Sequence, residues 1–252
     1  MKAGFELGFP TAQNAIDLIP QWTSLFPAAA GVTAGAMDLF NDFRINWALE
    51  KFGKDIAGKK VLELGPLEGG HTTMLTQRGA FVDAIEASRT AYLKCLIVKE
   101  ILQVQNARFH LGDCVQWAEK ASQRYDLVVA CGVLYHMEDP LRLLRALANL
   151  TDELYLWTVY VDKPGLKPTK VENIGDLPVR MYGIAYGPKD VGFTGGAPAM
   201  AHWTNKSDIL GALSRLGFDQ IEVAHDRPEG ESGSPPTYSV YARRTMPVAA
   251  KS

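Results

Sequence analysis

The chain has 252 residues, 47% of them hydrophobic and 21% charged, with a formal net charge of −2. That is ordinary for a globular protein and enough to bury a sizeable core, in one large domain or in a domain with an appended cap. No apolar run approaches the ~20 residues a membrane span needs, and a slightly acidic chain argues against a nucleic acid partner, because phosphate neutralisation usually shows as a basic domain.

Three cysteines, Cys95, Cys114 and Cys131, form no C-x-x-C pair, so neither a disulfide framework nor a metal site is expected. They read as small apolar residues of a reducing compartment. The start of the chain, with one lysine and then Pro10, does not read as a signal peptide, and the expected location is cytoplasmic. The oligomeric state is left open.

Residues 1–56 read as an N-terminal helical extension, or cap, and 57–252 as the main domain. In the extension, Pro10, Pro20 and Pro27 allow only short pieces until Asp38, which can cap a helix carrying Phe40, Phe43 and Trp47 on one face. The run Val61 to Leu64 is the continuous apolar pattern of a buried parallel strand, and it ends in a glycine-rich turn, Gly65-Pro66-Leu67-Glu68-Gly69-Gly70. Such a turn brings a nucleotide-like ligand close to bare backbone and to the free N–H groups of the next helix, His71 to Arg78. It fails the dinucleotide fingerprint at its centre, where Leu67 stands in place of glycine. A second strand, Phe81 to Ile85, ends at Glu86, where an acid can hold a ribose diol.

A helix over Arg89 to Leu102 follows, with Leu93, Leu96, Ile97 and Ile101 as its apolar face. The third strand, Ala107 to Gly112, ends at Asp113, and a short helix spans Val115 to Ser122. The fourth strand, Tyr125 to Ala130, runs into Cys131-Gly132-Val133-Leu134-Tyr135-His136. Asp139-Pro140 is a strong helix start, with Leu141, Leu144 and Leu147 as the buried face. After a fifth strand, Leu154 to Val161, residues 162–203 read as irregular, with five prolines, and a segment of that length suggests a lid-like insertion. A helix from Thr204 to Leu216 and two short strands, Gln220 to Ala224 and Tyr238 to Arg243, close the chain as a C-terminal hairpin, with Met246 to Ser252 as a loose tail.

Strand tips bearing Glu63, Glu86 and Asp113 would share one edge of a doubly wound sheet, where such folds bind ligands. Together with the Gly132-Val133-Leu134-Tyr135-His136 string, the chain resembles the class I S-adenosylmethionine-dependent methyltransferases over roughly Lys60 to Arg243. Within them it is similar to the branch that includes the tRNA wobble-uridine methyltransferases. The resemblance implies an α/β fold, a Rossmann-like, doubly wound seven-stranded sheet with a C-terminal antiparallel hairpin, and S-adenosylmethionine as cofactor. It implies Glu63, Gly65, Gly69, Cys131, Gly132 and Tyr135 at the cofactor's methionine part, Glu86 at its ribose, and Asp113 with Cys114 at its adenine.

Methyl transfer from a sulfonium asks chiefly for positioning, and for a proton acceptor when the nucleophile is a hydroxyl. On position and on an unperturbed pKa near 6.5, His136 is the candidate base, with Tyr135 beside it as a catalytic or methyl-cage residue. Arg44, His202 and Trp203 are candidates for substrate contact, whereas His110 reads as strand packing and His225 as a loop residue. The expected function is methylation of an oxygen or nitrogen of a small metabolite or glycan. Alternatives are tRNA wobble-uridine modification and a non-catalytic S-adenosylmethionine-binding module; Leu67 and the hairpin disfavour a nucleotide-dependent oxidoreductase.

Overall fold

The computed structural model describes residues 4–53, 55–187, 199–228 and 233–246. Its strands are β1 (Lys60–Leu64), β2 (Phe81–Glu86), β3 (Ala107–Leu111), β4 (Leu127–Cys131), β5 (Glu153–Val159), β6 (Lys170–Ile174), β7 (Leu177–Ala185), β8 (Met200–Thr204), β9 (Gln220–Arg227) and β10 (Thr237–Arg243). Seven of them form one sheet in the order β3-β2-β1-β4-β5-β10-β9, and β6-β7-β8 form a second. β1 to β5 run parallel, and β10 lies antiparallel between β5 and β9. The expected Rossmann-like sheet with its C-terminal hairpin is therefore the fold. Val61, Leu62, Leu127, Val128 and Val129 are fully buried, because helices cover both faces of the parallel strands.

The helices are α1 (Ala12–Asp17), α2 (Phe43–Phe52), α3 (Gly70–Gln77), α4 (Arg89–Ile101), α5 (Cys114–Lys120), α6 (Pro140–Leu150) and α7 (Lys206–Arg215). Asp139 caps α6 by accepting from the Arg142 N–H, with Pro140 in the first turn, and Leu141, Leu144 and Leu147 enter the core as read. Among the described residues, no helix is long and apolar enough to cross a membrane.

Three readings are corrected. The helix expected from Asp38 starts at Phe43, and its cap is Asp42, whose carboxylate accepts from the Arg44 N–H. The buried face of α4 is Ala91, Lys94, Cys95 and Val98, while Leu93 and Leu96 are exposed. A lysine at the centre of that face hid it from a hydrophobicity count. The segment 162–203, read as irregular, contains β6, β7 and β8; residues 188–198 lie outside the described part, as do 247–252 of the expected tail. Its first hairpin turns on Gly175-Asp176 with Gly175 at φ 58°, the two-residue connection that strand twist favours. Pro178 is tolerated because β8 pairs only with the far half of β7, Met181 to Ala185. This sheet is no loose cover: Val179, Met181 and Ala201 are fully buried, and buried Asp208 of α7 accepts from the backbone and guanidinium of Arg180.

What fixes the extension is Glu68, in the turn after β1. It is 1% exposed and accepts from the N–H groups of Thr23 and Ser24 and from Lys94 at 2.8 Å. Lys94 also donates to the Gln21 carbonyl and lies 5.0 Å from the Trp22 ring. Gly70 lets the extension pass close by, since a Cβ there would stand 2.6 Å from the Leu39 carbonyl oxygen. Removing one partner of a buried pair costs about 3–5 kcal/mol. Lys94→Met is therefore expected to lower Tm by on the order of 10 °C in a thermal melt, and an unchanged Tm would refute this anchoring role.

Candidate active site

The carboxyl ends of β1 to β5 share one edge of the sheet, and α2, packed against β5 and β10, sets Arg44 over Trp157 of β5. Glu63, next to last in β1, is 1% exposed. Its Oε2 accepts from Thr72 Oγ1 at 2.5 Å, while its Oε1 is buried with no partner among the described residues. Burial pushes its pKa up to about 7, with the charge of Glu86 adding to the effect and His71 and Thr72 opposing it. A buried acceptor left open in this way is costly unless a donor fills it.

The turn after β1 has three left-handed residues, Gly65, Leu67 and Gly69. A Cβ at Gly65 would meet the Val133 side chain at 2.9 Å. Leu67 is held in that conformation with its N–H on Glu86 Oε2 at 3.1 Å. Gly69 faces Phe109 and Val98, so its part is to form the turn that starts α3.

Glu86, last in β2, also accepts from the Ser88 N–H at 2.7 Å, and two accepted bonds leave about two lone-pair positions of the carboxylate open. Burial raises its pKa, and the backbone bonds only partly offset this. Asp113 spends Oδ1 capping α5, on the N–H groups of Val115 and Gln116, and its Oδ2 makes no hydrogen bond among the described residues. Beside it a cleft of about 720 Å³ is lined by Ile85, Phe109, Gly112 and Trp117 among others. Burial pushes the Cys114 and Cys131 thiols up to about 12, so both are neutral packing groups and not nucleophiles.

Gly132 has φ 87°, and a Cβ there would stand 3.6 Å from Tyr135 Oη and 3.7 Å from the Trp157 ring. Tyr135 stacks at 4.1 Å on His136 and at 6.0 Å edge-on to Trp157, and burial raises its phenol pKa. His136 Nδ1 lies 2.7 Å from Tyr186 Oη, and burial pulls its pKa down to about 4. Its imidazole is therefore uncharged at neutral pH but weakly basic.

Arg44, in the first turn of α2, grips Asp42 through Nε and Nη2 and lies 4.5 Å over the Trp157 ring. Asp42 also meets His71 Nε2 at 2.9 Å. Burial alone would raise the Asp42 pKa, but the bonds from His71 and Arg44 outweigh it and hold the carboxyl below the usual range. Arg44 Nη1 makes no hydrogen bond among the described residues and is free for an anion.

His202 is tied to the loop after β4, its N–H on the Met137 carbonyl and its Nδ1 2.6 Å from the Glu138 carbonyl oxygen. Trp203 lines a separate cavity of about 450 Å³ with Tyr160, Tyr182, Lys167 and Pro235, and its Nε1 is buried without a partner. Glu63, Gly65, Glu86, Asp113, Cys114, Cys131, Gly132, Tyr135, His136 and Arg44 thus follow one edge, with His202 at its flank, whereas Trp203 belongs to the separate cavity. Asp42, Thr72, Trp157 and Tyr186 were missed. Of these only Asp42, an acid directly before a helical pattern, left a sequence signal.

These residues fit the cofactor that the resemblance implies. A buried carboxylate oxygen without a donor suits an ammonium, an acid with open lone pairs at the second strand tip suits a diol, and the apolar cleft beside Asp113 suits a flat base.

Comparison with known proteins agrees. Residues 40–178 match a family model described as a methyltransferase domain. A ubiquinone biosynthesis O-methyltransferase of Pseudomonas fluorescens is 31% identical over 109 residues, 42% of this chain and 44% of that protein. A tRNA U34 carboxymethyltransferase of Campylobacter hominis is 28% identical over 197 residues, 70% of this chain and 64% of that protein. The chain thus spans less than two thirds of the length of these relatives. The N-terminal domain of EvdMO1, solved with SAH bound, has a TM-score of 0.73 at 23% identity, covering 92% of this chain and 95% of that one. The same domain, solved in the presence of SAH and D-fucose, gives 0.72.

Glu63 yields a test that needs no ligand. Its pKa is raised in the folded state, so the folded protein binds the extra proton between the ordinary glutamate value and about 7, and stability falls as pH rises through that window. Glu63→Gln removes this penalty. The variant is expected to match the parent near pH 5 and to exceed it at pH 8 by a few kcal/mol at most, read by urea denaturation; a parent as stable as the variant at pH 8 would contradict the raised pKa.

Proposed function

The chain belongs to the class I S-adenosylmethionine-dependent methyltransferase family, and from that premise we propose that it transfers the methyl of S-adenosylmethionine to an oxygen or nitrogen of a small metabolite or glycan. The observation that carries this reading is the half-partnered Glu63 carboxylate, buried beside the open glycine turn at the same edge as Glu86 and Gly132. Glu63 would hold the cofactor's ammonium, Glu86 its ribose hydroxyls, and Asp113 and Cys114 the adenine end. Arg44, with Nη1 to spare, would take a carboxylate of cofactor or substrate.

S-adenosylmethionine, when bound, supplies a methyl already activated toward nucleophiles. The chain's own work is to align the acceptor and exclude water. Tyr135, Trp157 and Gly132 would form the wall beside the methyl. His136, uncharged because it is buried, would offer Nε2 as a hydrogen-bond acceptor throughout the physiological range. His202 and the docked β6-β7-β8 sheet would bound the acceptor on the other flank.

A tRNA acceptor is the second reading, because the tRNA-modifying relative aligns over 70% of this chain. Charge pairing weighs against it. Arg145 and Lys170 meet Glu172, Arg180 meets Asp208, and Arg215 meets Asp176, so these cations around the inserted sheet are already neutralised. The D-fucose used with the EvdMO1 domain supports a small hydroxylated acceptor.

Calorimetry with S-adenosylhomocysteine tests the cofactor reading. Glu86→Ala deletes an acceptor to two hydroxyls, and hydrogen bonds to charged groups are worth about 1.5–3 kcal/mol each. Affinity should therefore fall more than tenfold, and a change under threefold would rule this role out. Label from S-adenosylmethionine should pass to a protein-free small-molecule extract and not to total tRNA, whose binding would weaken steeply with salt. Tight cofactor binding without transfer to either pool would favour a non-catalytic binding module.

A further inference from the structure

His225 is turned toward α2 by a defect in the sheet. On β10, Ser239 pairs with Ala224 and Thr237 with Arg227, so Tyr238 alone is opposed by two residues, His225 and Asp226. Regular alternation would send His225 to the face opposite Ala224. The bulge, with His225 in the left-handed conformation at φ 49°, re-aims its ring onto the α2 face, as bulges beside active sites do. There the imidazole stands edge-on at 4.8 Å to Phe43 and 5.5 Å to Trp47. Its Nδ1 is 3.1 Å from Ser239 Oγ, which in turn lies 3.1 Å from Tyr155 Oη.

Arg44 connects this ring to the cofactor edge. Its guanidinium stacks on Trp157, whose ring borders Gly132, and its charge acts on both Cys131 and His225. The strained backbone and the tie to Ser239 both serve to present one imidazole nitrogen. In the tautomer that donates Nδ1–H to Ser239, Nε2 carries the lone pair.

We propose that His225 takes the proton of an acceptor hydroxyl during methyl transfer, so that the acceptor is an alcohol or phenol. The proposal rests on the methyltransferase reading. The O–H bond breaks and its pair stays on oxygen, oxygen bonds the methyl carbon, the methyl–sulfur bond breaks with its pair on sulfur, and the proton passes through Nε2 to solvent. The groups acting on His225 are Asp42 at the cap of α2, Arg44 within it, Arg227 on its own strand and Ser239 of β10, with Tyr155 of β5 bonded behind Ser239. Burial lowers the His225 pKa, Arg227 and Arg44 act in the same direction, and Asp42 opposes. The neutral form therefore prevails at neutral pH. His136, lowered to about 4 and held by Tyr186, is the weaker base of the two.

The test compares the parent, His225→Asn and His136→Asn. Asparagine tolerates the left-handed backbone, so His225→Asn removes the imidazole and keeps the bulge. Each protein is melted, titrated calorimetrically with S-adenosylhomocysteine, and assayed for label transfer from S-adenosylmethionine to catechol and to D-fucose across pH. For His225→Asn the expected result is unchanged melting and cofactor affinity, turnover down about a hundredfold or more, and loss of the parent's fall in rate at acid pH. Turnover within threefold of the parent with the same pH profile would overturn the proposal, as would transfer of that acid limb to His136→Asn. A parent that binds S-adenosylhomocysteine and methylates neither probe would also overturn hydroxyl chemistry. A parent that binds no S-adenosylhomocysteine would instead refute the underlying methyltransferase reading.

Discussion

The site depends on one buried carboxylate that touches no reacting group. Glu68 sits in the turn that follows β1 and collects two backbone N–H groups and Lys94 from two separate stretches of chain. By doing so it fastens residues 21–24 against the turn and α4, and the chain that continues from there delivers Asp42 and Arg44 to the ends of β4 and β5. A buried pair of this kind contributes little net stability against an apolar replacement, yet losing one partner is expensive. Its value lies in specifying where the extension must lie. Gly70 makes the same point sterically, since no larger residue would let Leu39 pass.

Electrostatically the edge is built around incomplete acids. Glu63 lacks one partner, Glu86 has two lone-pair positions open, and Asp113 uses one oxygen of two. Asp42, by contrast, is saturated by Arg44 and His71 and serves to aim them. The difference separates groups that await a ligand from groups that hold the frame. Burial raises Glu63, Glu86 and the Cys131 thiol together, and a hydrogen bond made to such buried groups gains strength from the low dielectric.

The sheet and the cofactor edge were legible in the sequence because both follow simple periods. Parallel strands buried on two faces read as apolar runs, and Glu63, Glu86 and Asp113 fall at their tips because the fold brings every carboxyl end to one side. The rest was hidden where physics overrides local pattern. The buried face of α4 carries Lys94, which is polar by type and buried by pairing. The inserted hairpin was masked by its prolines, although Gly175-Asp176 between alternating residues was a readable turn. Asp42 was eclipsed by Asp38, four residues earlier and also a competent cap. His225, read as a loop residue, lies within β9, because a bulge is an exception to alternation and is decided by pairing across the sheet.

That contrast orders the site by chemistry. Residues for the cofactor come from successive strand tips, so their spacing in sequence follows from the fold itself. The residues proposed to face the acceptor come from the start of α2, the loop after β4, the inserted sheet and the bulge in β9, elements that share no sequence period. The two tasks also differ in tolerance. A sulfonium nucleoside needs the same ammonium, diol and base contacts whatever receives its methyl, whereas an acceptor is selected by shape and by where its proton goes. The insertion and the bulge can therefore vary without disturbing Glu63 or Glu86, because Arg44 and Trp157 stand between the two halves and carry the contact from one to the other.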